Sequence, residues 1–438
     1  MTMKLCVIGL GYIGLPTAIM FAKHNVEVHG VDINTEVIKG LVLGNIHIEE
    51  PGLQEMLDEV MDSGRLSFGT ITQPADAFII SVPTPIKADK SANLDYVVQA
   101  TQSILPYIKK NNLIILESTV PPRTVEDVMM PLLEQTRLNV KEDLYISHSP
   151  ERVLPGNLLE ELVYNDRIVG GINTISSERT AELYRKFVKG TIHLTDATTA
   201  EMVKLMENTY RDVNIAFANE MAKIAENVGF NVWEAIELAN CHPRVNIHKP
   251  GPGVGGHCIA VDPWFIYESA PTIAKLIHTS REINDSMPSF VVQKLKSMFP
   301  FPAEAKIAIL GLSFKGNIDD IRESPAVTVV SQLLEVGFQL SVFDPHVGEK
   351  FPNKEENLED TVKGAHAILV LTDHREFKEV DSKEMRNLMK GNIVLDTRNI
   401  LDLEKWTEAG FSSYVLGGAA TDVLRRTEIN AISFKGGE

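Results

Sequence analysis

Cysteine is scarce in this chain: Cys6, Cys241 and Cys258 are the only three in 438 residues. So sparse and odd a set excludes a disulfide framework and fits a reducing compartment such as the cytoplasm. Positive charge is also short. Lys and Arg number 42 against 59 Asp and Glu, a formal net charge of −17 at pH 7. That argues against nucleic acid or an anionic membrane as partner, although a local cluster of Arg and Lys can still bind an anionic small ligand. No apolar run approaches the roughly 18 residues needed to span a bilayer. The N-terminus enters a strand pattern without a signal-peptide signature. Low-complexity tracts and short-period repeats are absent. His24, His29, His47 and His242 are scattered and show no metal-ligand spacing, so no metal is expected, and His257 reads as a loop contact beside a cysteine.

The length suffices for two or three cores. Lys4 to Ile8 reads as a buried strand, followed by Gly9-Leu10-Gly11-Tyr12-Ile13-Gly14 and a helical stretch to about Lys23. A second strand, Glu27 to Val31, ends at Asp32, and apolar runs recur at 77–82, 113–116, 144–147 and 167–170. Helical patterns between most of them indicate a doubly wound parallel sheet. From about Asp196 to Val228 there is no Gly or Pro, and apolar residues recur at helical spacing. One long helix is expected there, ending near Gly229, linking two α/β domains and forming part of a subunit interface. Residues 231–300 look mostly helical apart from a Pro/Gly-rich loop at 250–256. The strand–turn pattern then restarts at Lys306 to Leu310 with Gly311-Leu312-Ser313-Phe314-Lys315-Gly316, and later strands end at Asp344 and Asp396. The expected fold is α/β: two Rossmann-like doubly wound domains, residues 1–195 and 301–438, joined by a long central helix and a helical middle domain, residues 196–300.

Gly9-x-Gly11-x-x-Gly14 has a strand before it, a helix after it, and Asp32 18 residues beyond the last glycine. The glycines suit a tight turn, pyrophosphate approach and helix–strand packing, with the pyrophosphate at the helix N-terminus. Asp32 would accept the adenosine ribose hydroxyls and repel a 2′-phosphate, which favours NAD over NADP. Cys258 follows the glycines of 251–256 and precedes Asp262 by four residues. The Walker Lys-Ser/Thr pair is missing there, which argues against NTP binding. A nicotinamide cofactor together with a nucleophilic cysteine suggests oxidation beyond the aldehyde, through a thiohemiacetal and a thioester. Lys204 and Asn208 share a helix face; with Glu201 and Glu207 nearby, a solvated face is the competing reading. Arg244, Lys315, Arg322 and Arg398 read either as surface loop residues or as ligand contacts, the last three at strand ends or in loops of the second Rossmann-like domain.

The chain resembles the UDP-glucose/GDP-mannose dehydrogenase family over essentially its whole length. The resemblance is carried by the run 7–16 around the glycines, Val82-Pro83-Thr84-Pro85, Glu117-Ser118-Thr119-Val120-Pro121, Ser149-Pro150-Glu151-Arg152, the Lys204–Asn208 helix, the Cys258 loop and Gly311-Leu312-Ser313-Phe314-Lys315. Within the family, the runs 150–156, 211–220 and 242–247 look like a branch acting on UDP-N-acetyl-hexosamines. The resemblance implies Cys258 as nucleophile, Lys204 and Asn208 as stabilisers of the C6 oxyanion, and Asp262 as an acid that positions water and shuttles protons. It implies that Thr119 and Glu151 assist thioester hydrolysis, and that Tyr12, Ile13, Pro83, Thr84 and Thr119 contact NAD beside the three glycines. Substrate contacts would come from Glu151, Arg152, Lys204, Asn208, Asn246, Gly255, Lys315 and Arg398, and from Arg244, which a neighbouring subunit can supply. The resemblance further implies UDP-sugar binding in residues 301–438 and a homodimer. Val261 stands where many UDP-glucose dehydrogenases have lysine, and Arg152-Val153-Leu154-Pro155 replaces a Phe-Leu-Arg run; both point away from plain UDP-glucose. The other readings are a 6-dehydrogenase for UDP-N-acetylglucosamine or UDP-glucose, and, more remotely, a two-electron hydroxyacid dehydrogenase of related fold or a nucleotide-sugar sensor without turnover.

Overall fold

The computed structural model describes residues 3–153, 156–256, 258–348 and 350–418. Leu154, Pro155 and His257 therefore lie outside the described residues. The chain divides into two compact units, Met1–Glu207 with Trp264–Ala274, and Asn208–Pro263 with Lys275–Glu438.

In the first unit, short apolar runs form strands β1 (Lys4–Ile8), β2 (Glu27–Val31), β3 (Leu66–Gly69), β4 (Ala77–Ile80), β5 (Leu113–Leu116), β6 (Tyr145–His148), β7 (Arg167–Gly171) and β8 (Ile192–Asp196). They make one sheet in the order β3-β2-β1-β4-β5-β6-β7-β8. Side chains alternate across it. Leu5 and Val7 enter one core with Leu15, Ile19 and Phe21, while Cys6 and Ile8 enter the other with Phe78 and Ile80. All strand pairs are parallel except β6 and β7, where Ser147 faces Gly171 and His148 faces Gly170 in antiparallel register. The expected doubly wound parallel sheet is present, with this one reversed step.

In the second unit, β9 (Lys306–Leu310), β10 (Gln339–Phe343), β11 (Ala367–Val370), β12 (Ile393–Asp396) and β13 (Ser412–Val415) form a parallel sheet ordered β10-β9-β11-β12-β13. It too is covered on both faces: Ile307 and Ile309 pack into one core, Ala308 and Leu310 into the other.

The long helix runs Ala197–Val228. Asp196 caps it, accepting the Thr199 N–H at 2.8 Å and the Thr199 hydroxyl at 2.6 Å, and such a cap contributes about 1 kcal/mol. Gly229, at φ +91°, ends it. Helices Val232–Asn240, Asp262–Ser269, Lys275–Asp285 and Met287–Ser297 follow. The described residues 241–256 and 258–261 between them are irregular, a longer stretch than the 250–256 expected, because Pro243, Pro250 and Pro252 join the glycines in breaking regular structure. Among the described residues, no helix is long and apolar enough to cross a membrane.

Candidate active site

The glycine turn sits at the C-terminal end of β1. Gly9 has φ +92°, and a Cβ there would lie 2.3 Å from the Ser81 carbonyl oxygen. A Cβ on Gly14 would lie 1.9 Å from the Gly9 carbonyl oxygen. These two glycines are demanded by the fold itself. Gly11 differs: no atom comes within 4 Å of a Cβ built there, so its bareness leaves room for a ligand. Helix Gly14–Lys23 starts without a side-chain cap, and its first amides can therefore meet a pyrophosphate. At the end of β2, Asp32 accepts the Leu10 N–H at 2.9 Å and the Asn34 N–H at 2.8 Å. Each bond takes a different carboxylate oxygen, which leaves lone pairs for ribose hydroxyls. The residues therefore fit NAD. Ser118 Oγ bonds both the Val82 N–H (2.9 Å) and the Val82 carbonyl (2.7 Å), and Thr84 donates to the Thr119 carbonyl at 2.5 Å. Thus Pro83, Thr84 and Thr119 are brought together at the ends of β4 and β5. The Tyr12 hydroxyl bonds Glu50 at 2.6 Å; burial, and then Glu50, raise its pKa far above the ordinary phenol value. Ile13 is half-buried beside it.

Further along the same unit, Glu151 follows β6 and meets Arg167, the first residue of β7. Arg167 also donates to Ser149 Oγ at 3.3 Å and lies 3.6 Å from Glu117. Its guanidinium stacks 4.1 Å from the centre of the Tyr184 ring, whose hydroxyl bonds Glu117. Burial pushes Glu117 up to about 7, although the Arg167 charge opposes this. Arg152 pairs with Glu207 at 2.9 Å. Glu201 turns inward, accepts the Val125 N–H at 2.8 Å and, chiefly through burial, rises to about 7. Of the acids flanking Lys204, Glu201 is therefore engaged in the core, and Glu207, its side chain 40 % exposed, pairs with Arg152. Lys204 itself is half-buried.

In the second unit, Cys258 is exposed and in no disulfide. Its carbonyl accepts the Asp262 N–H at 2.8 Å, which fixes the step from cysteine to acid. Asp262 and Asn208 are 2 % and 1 % exposed, and the Asn208 amide donates to Asp262 at 2.6 Å. Arg211 donates to the Asn208 oxygen; the sequence marked it only as the start of the 211–220 run and gave it no role in the site, although it lies three residues along the same helix. Gly255 packs against Phe314 and the Glu323 carbonyl, and Gly251 against Arg398. Arg322 is raised first by its bond to Asp320, and Cys258 contributes least. Arg398 pairs with Asp373 at 3.0 Å. With Lys249, Pro250, Lys378, Asn399 and Ile400 they line a cavity of about 240 Å³. Asp373 also accepts the Gly316 N–H at 3.1 Å, so the loop of exposed Lys315 is tied to the Arg398 side. This cationic cavity at the ends of β11 and β12 suits a diphosphate. Arg244 and Asn246 are exposed between the helix ending at Asn240 and the cysteine loop.

The second glycine turn is built differently. Asp344, at the position after β10, accepts Leu312 N–H, Ser313 N–H and His374 on one oxygen, and His346 N–H and Val347 N–H on the other. His346, His374 and Glu376 approach one another, but His374 already uses Nδ1 to accept the Asn317 N–H and Nε2 on Asp344. The residue that sequence reading missed most completely is Arg167; its only signal was a charge at the head of an apolar strand.

Models of the UDP-glucose/GDP-mannose dehydrogenase family match along the chain: the NAD binding domain at residues 3–188, the central domain at 198–286 and the UDP binding domain at 308–403. The chain is 51% identical over 420 residues to the UDP-N-acetyl-D-mannosamine dehydrogenase of Methanocaldococcus jannaschii, covering 94% of this chain and 96% of that one. Among solved structures it is similar to the UDP-D-ManNAc dehydrogenase of Pyrococcus horikoshii, with 45% identity, a TM-score of 0.89, and 95% and 99% of the two chains covered. It is also similar to the UDP-N-acetyl-mannosamine dehydrogenase of Staphylococcus aureus, with 48% identity, a TM-score of 0.84, and 94% and 98% covered.

Proposed function

The chain belongs to the UDP-glucose/GDP-mannose dehydrogenase family, and on that premise we propose that it oxidises C6 of UDP-N-acetyl-D-mannosamine to the uronate in a four-electron reaction. It is an NAD-dependent nucleotide-sugar oxidoreductase. The observation that carries the four-electron reading is the nucleophile arrangement: an exposed Cys258 whose carbonyl anchors Asp262, itself bonded to Asn208. The similarity to mannosamine-sugar dehydrogenases supports the choice of sugar. A two-electron dehydrogenase or a sensor has no use for that thiol.

NAD, when bound, supplies the hydride acceptor, twice per sugar. Lys204, or a water that it and Asp262 hold, takes the C6 hydroxyl proton. The lysine charge stabilises the alkoxide by roughly 3 kcal/mol. The Cys258 thiolate adds to the aldehyde carbon, and the oxyanion so formed meets Lys204 and the second N–H of Asn208. After the second oxidation the sugar is a thioester. A water bound by Thr119 and relieved of a proton by Glu151 attacks its acyl carbon; the C–S bond breaks and Cys258 leaves as thiolate. The UDP is held by the cavity of Lys249 and Arg398 and by Lys315, with Arg152 and Asn246 as further contacts. Arg244 would come from the second subunit of a homodimer. The enzyme works in the cytoplasm, where the thiol stays reduced.

The test is NADH formed per UDP-N-acetyl-D-mannosamine at limiting sugar. Two are expected. One would remove the role given to Cys258, and none would move the assignment to UDP-N-acetylglucosamine or UDP-glucose. Cys258→Ser should lower uronate formation by at least about a thousandfold; a normal rate would end the covalent mechanism.

A further inference from the structure

The one antiparallel step in the first sheet aims a buried cation at Glu151. Ser147 faces Gly171 and His148 faces Gly170; continued past the end of β6, that register sets Glu151 opposite Arg167. A parallel β7 would have put its first residue at the other end of the sheet. We propose that Arg167 is a positioning residue for thioester hydrolysis: its guanidinium fixes the Glu151 carboxylate in the orientation from which it draws a proton off the attacking water. This rests on the reading that Glu151 serves hydrolysis.

The contacts around Arg167 do more than satisfy a buried charge. Glu151 alone would balance the guanidinium, yet a second carboxyl group, that of Glu117, is present as well. The side chains of Glu117, Arg167 and Glu151 are 0 %, 4 % and 8 % exposed. Arg167 gives Nη2 to Glu151 and Nη1 to Ser149 and Glu117. Glu117 in turn holds the Tyr184 hydroxyl, and the Tyr184 ring lies under the guanidinium. The fork is thus fixed at both ends and along its face, which leaves Glu151 little freedom to turn. The other Glu151 oxygen accepts the Arg152 N–H at 2.7 Å. Burial holds Glu117 at about 7, so near neutrality it retains a proton for much of the time, and the Arg167 charge is then left to Glu151. The second Glu117 oxygen and the Thr17 hydroxyl of the glycine-turn helix are both buried without a hydrogen-bond partner.

In the step concerned, the water oxygen bonds to the acyl carbon, one water proton passes to Glu151, the C–S bond breaks and the electron pair leaves on sulfur. No oxidant is consumed. A mispositioned Glu151 should slow this step alone, because both hydride transfers precede it.

The experiment compares full-length wild type, Arg167→Lys and Glu151→Gln with NAD and UDP-N-acetyl-D-mannosamine, by rapid mixing and by intact mass after acid quench. For Arg167→Lys, the pre-steady-state burst of two NADH per chain should stay within about threefold of wild type while the steady-state rate falls about a hundredfold. KM for NAD and for the sugar should hold, and a sugar–Cys258 thioester should accumulate. Glu151→Gln should accumulate the same thioester. If it does not, the role of Glu151 fails, whatever Arg167 does. If Glu151→Gln accumulates thioester but Arg167→Lys turns over like wild type, or loses burst and turnover together, the inference is overturned. Should Arg167→Lys not fold, Tyr184→Phe replaces it, keeping the ring and removing the hydroxyl from Glu117. A several-fold slower hydrolysis at unchanged KM supports the positioning role, and an unchanged rate overturns it.

Discussion

His148 ends β6 with its ring fully buried and neither nitrogen hydrogen-bonded. Burial pushes its pKa down to about 3, and the Leu116 carbonyl opposes this only in part. An unfolded chain takes up that proton near the ordinary histidine value of about 6.5. Between the two values the unfolded state binds more protons, so stability falls as pH drops through this window, by about 1.4 kcal/mol for each pH unit. Glu117, one strand away, acts in the opposite sense. Its carboxyl sits near 7 in the folded state, so ionising it costs stability as pH rises from the carboxylate range toward neutrality. His148→Phe removes the acid-side effect without adding a titrating group. In urea unfolding, wild type should lose about 2 kcal/mol more than His148→Phe between pH 6.5 and pH 4.5. Equal losses would mean that the ring is hydrated or bonded in solution.

Elements with a continuous apolar run and a following glycine turn were legible in the sequence: β1 with Gly9, and β9 with Gly311. The long helix was legible because 197–228 lacks Gly and Pro and Gly229 stops it. Three strands were not. β3 reads Leu-Ser-Phe-Gly, β8 Ile-His-Leu-Thr-Asp and β13 Ser-Ser-Tyr-Val. All are sheet edges, paired on one side only and partly open to water, so they carry no apolar run to see. The cysteine loop was legible as glycines before a thiol, but the Asn208–Asp262 bond spans 54 residues, and nothing local announces it. The reversed direction of β7 was likewise hidden, and with it the meeting of Arg167 with Glu151. The glycines of the cysteine loop also have a packing role that the sequence alone did not separate from ligand approach. A Cβ on Gly255 would lie 2.6 Å from the Glu323 carbonyl and 2.7 Å from both Phe314 Cβ and Pro325, and none of these is the free end of a flexible side chain. Gly255→Ala should therefore shift the loop three residues before Cys258 and lower kcat by about a hundredfold. The thermal midpoint should fall by only a few degrees, about 1 kcal/mol at this chain length. Unimpaired turnover would show that the loop absorbs a methyl group without moving its thiol.

Two glycine turns in one molecule raise the question of how many nicotinamide cofactors a chain holds, and the acids after β2 and β10 answer it. Asp32 accepts one backbone N–H on each oxygen and can still receive ribose hydroxyls. Asp344 receives five bonds from its own unit and has nothing left to offer. The turn differs as well. Ser313 stands two residues after Gly311, as Gly11 stands two after Gly9; its hydroxyl is buried and bonded to the Lys315 carbonyl at 2.8 Å. The space that Gly11 leaves open is thus filled by protein in the second unit. At the ends of β11 and β12, Lys249, Lys378 and Arg398 gather around a cavity that offers charge for phosphates, and its lining acid, Asp373, is already paired with Arg398. The folds repeat, but the chemistry does not. Calorimetric titration of the full-length protein with NAD should therefore give one site per chain. Asp32→Ala should weaken that site more than about tenfold, the loss of a paired hydrogen bond to a charged group, and should reveal no residual second site. UDP should leave the NAD affinity of the wild type within about twofold, since each nucleotide reads a different unit. Two NAD per chain, or a site that survives Asp32→Ala at full strength, would mean that Asp344 releases its backbone partners when cofactor arrives.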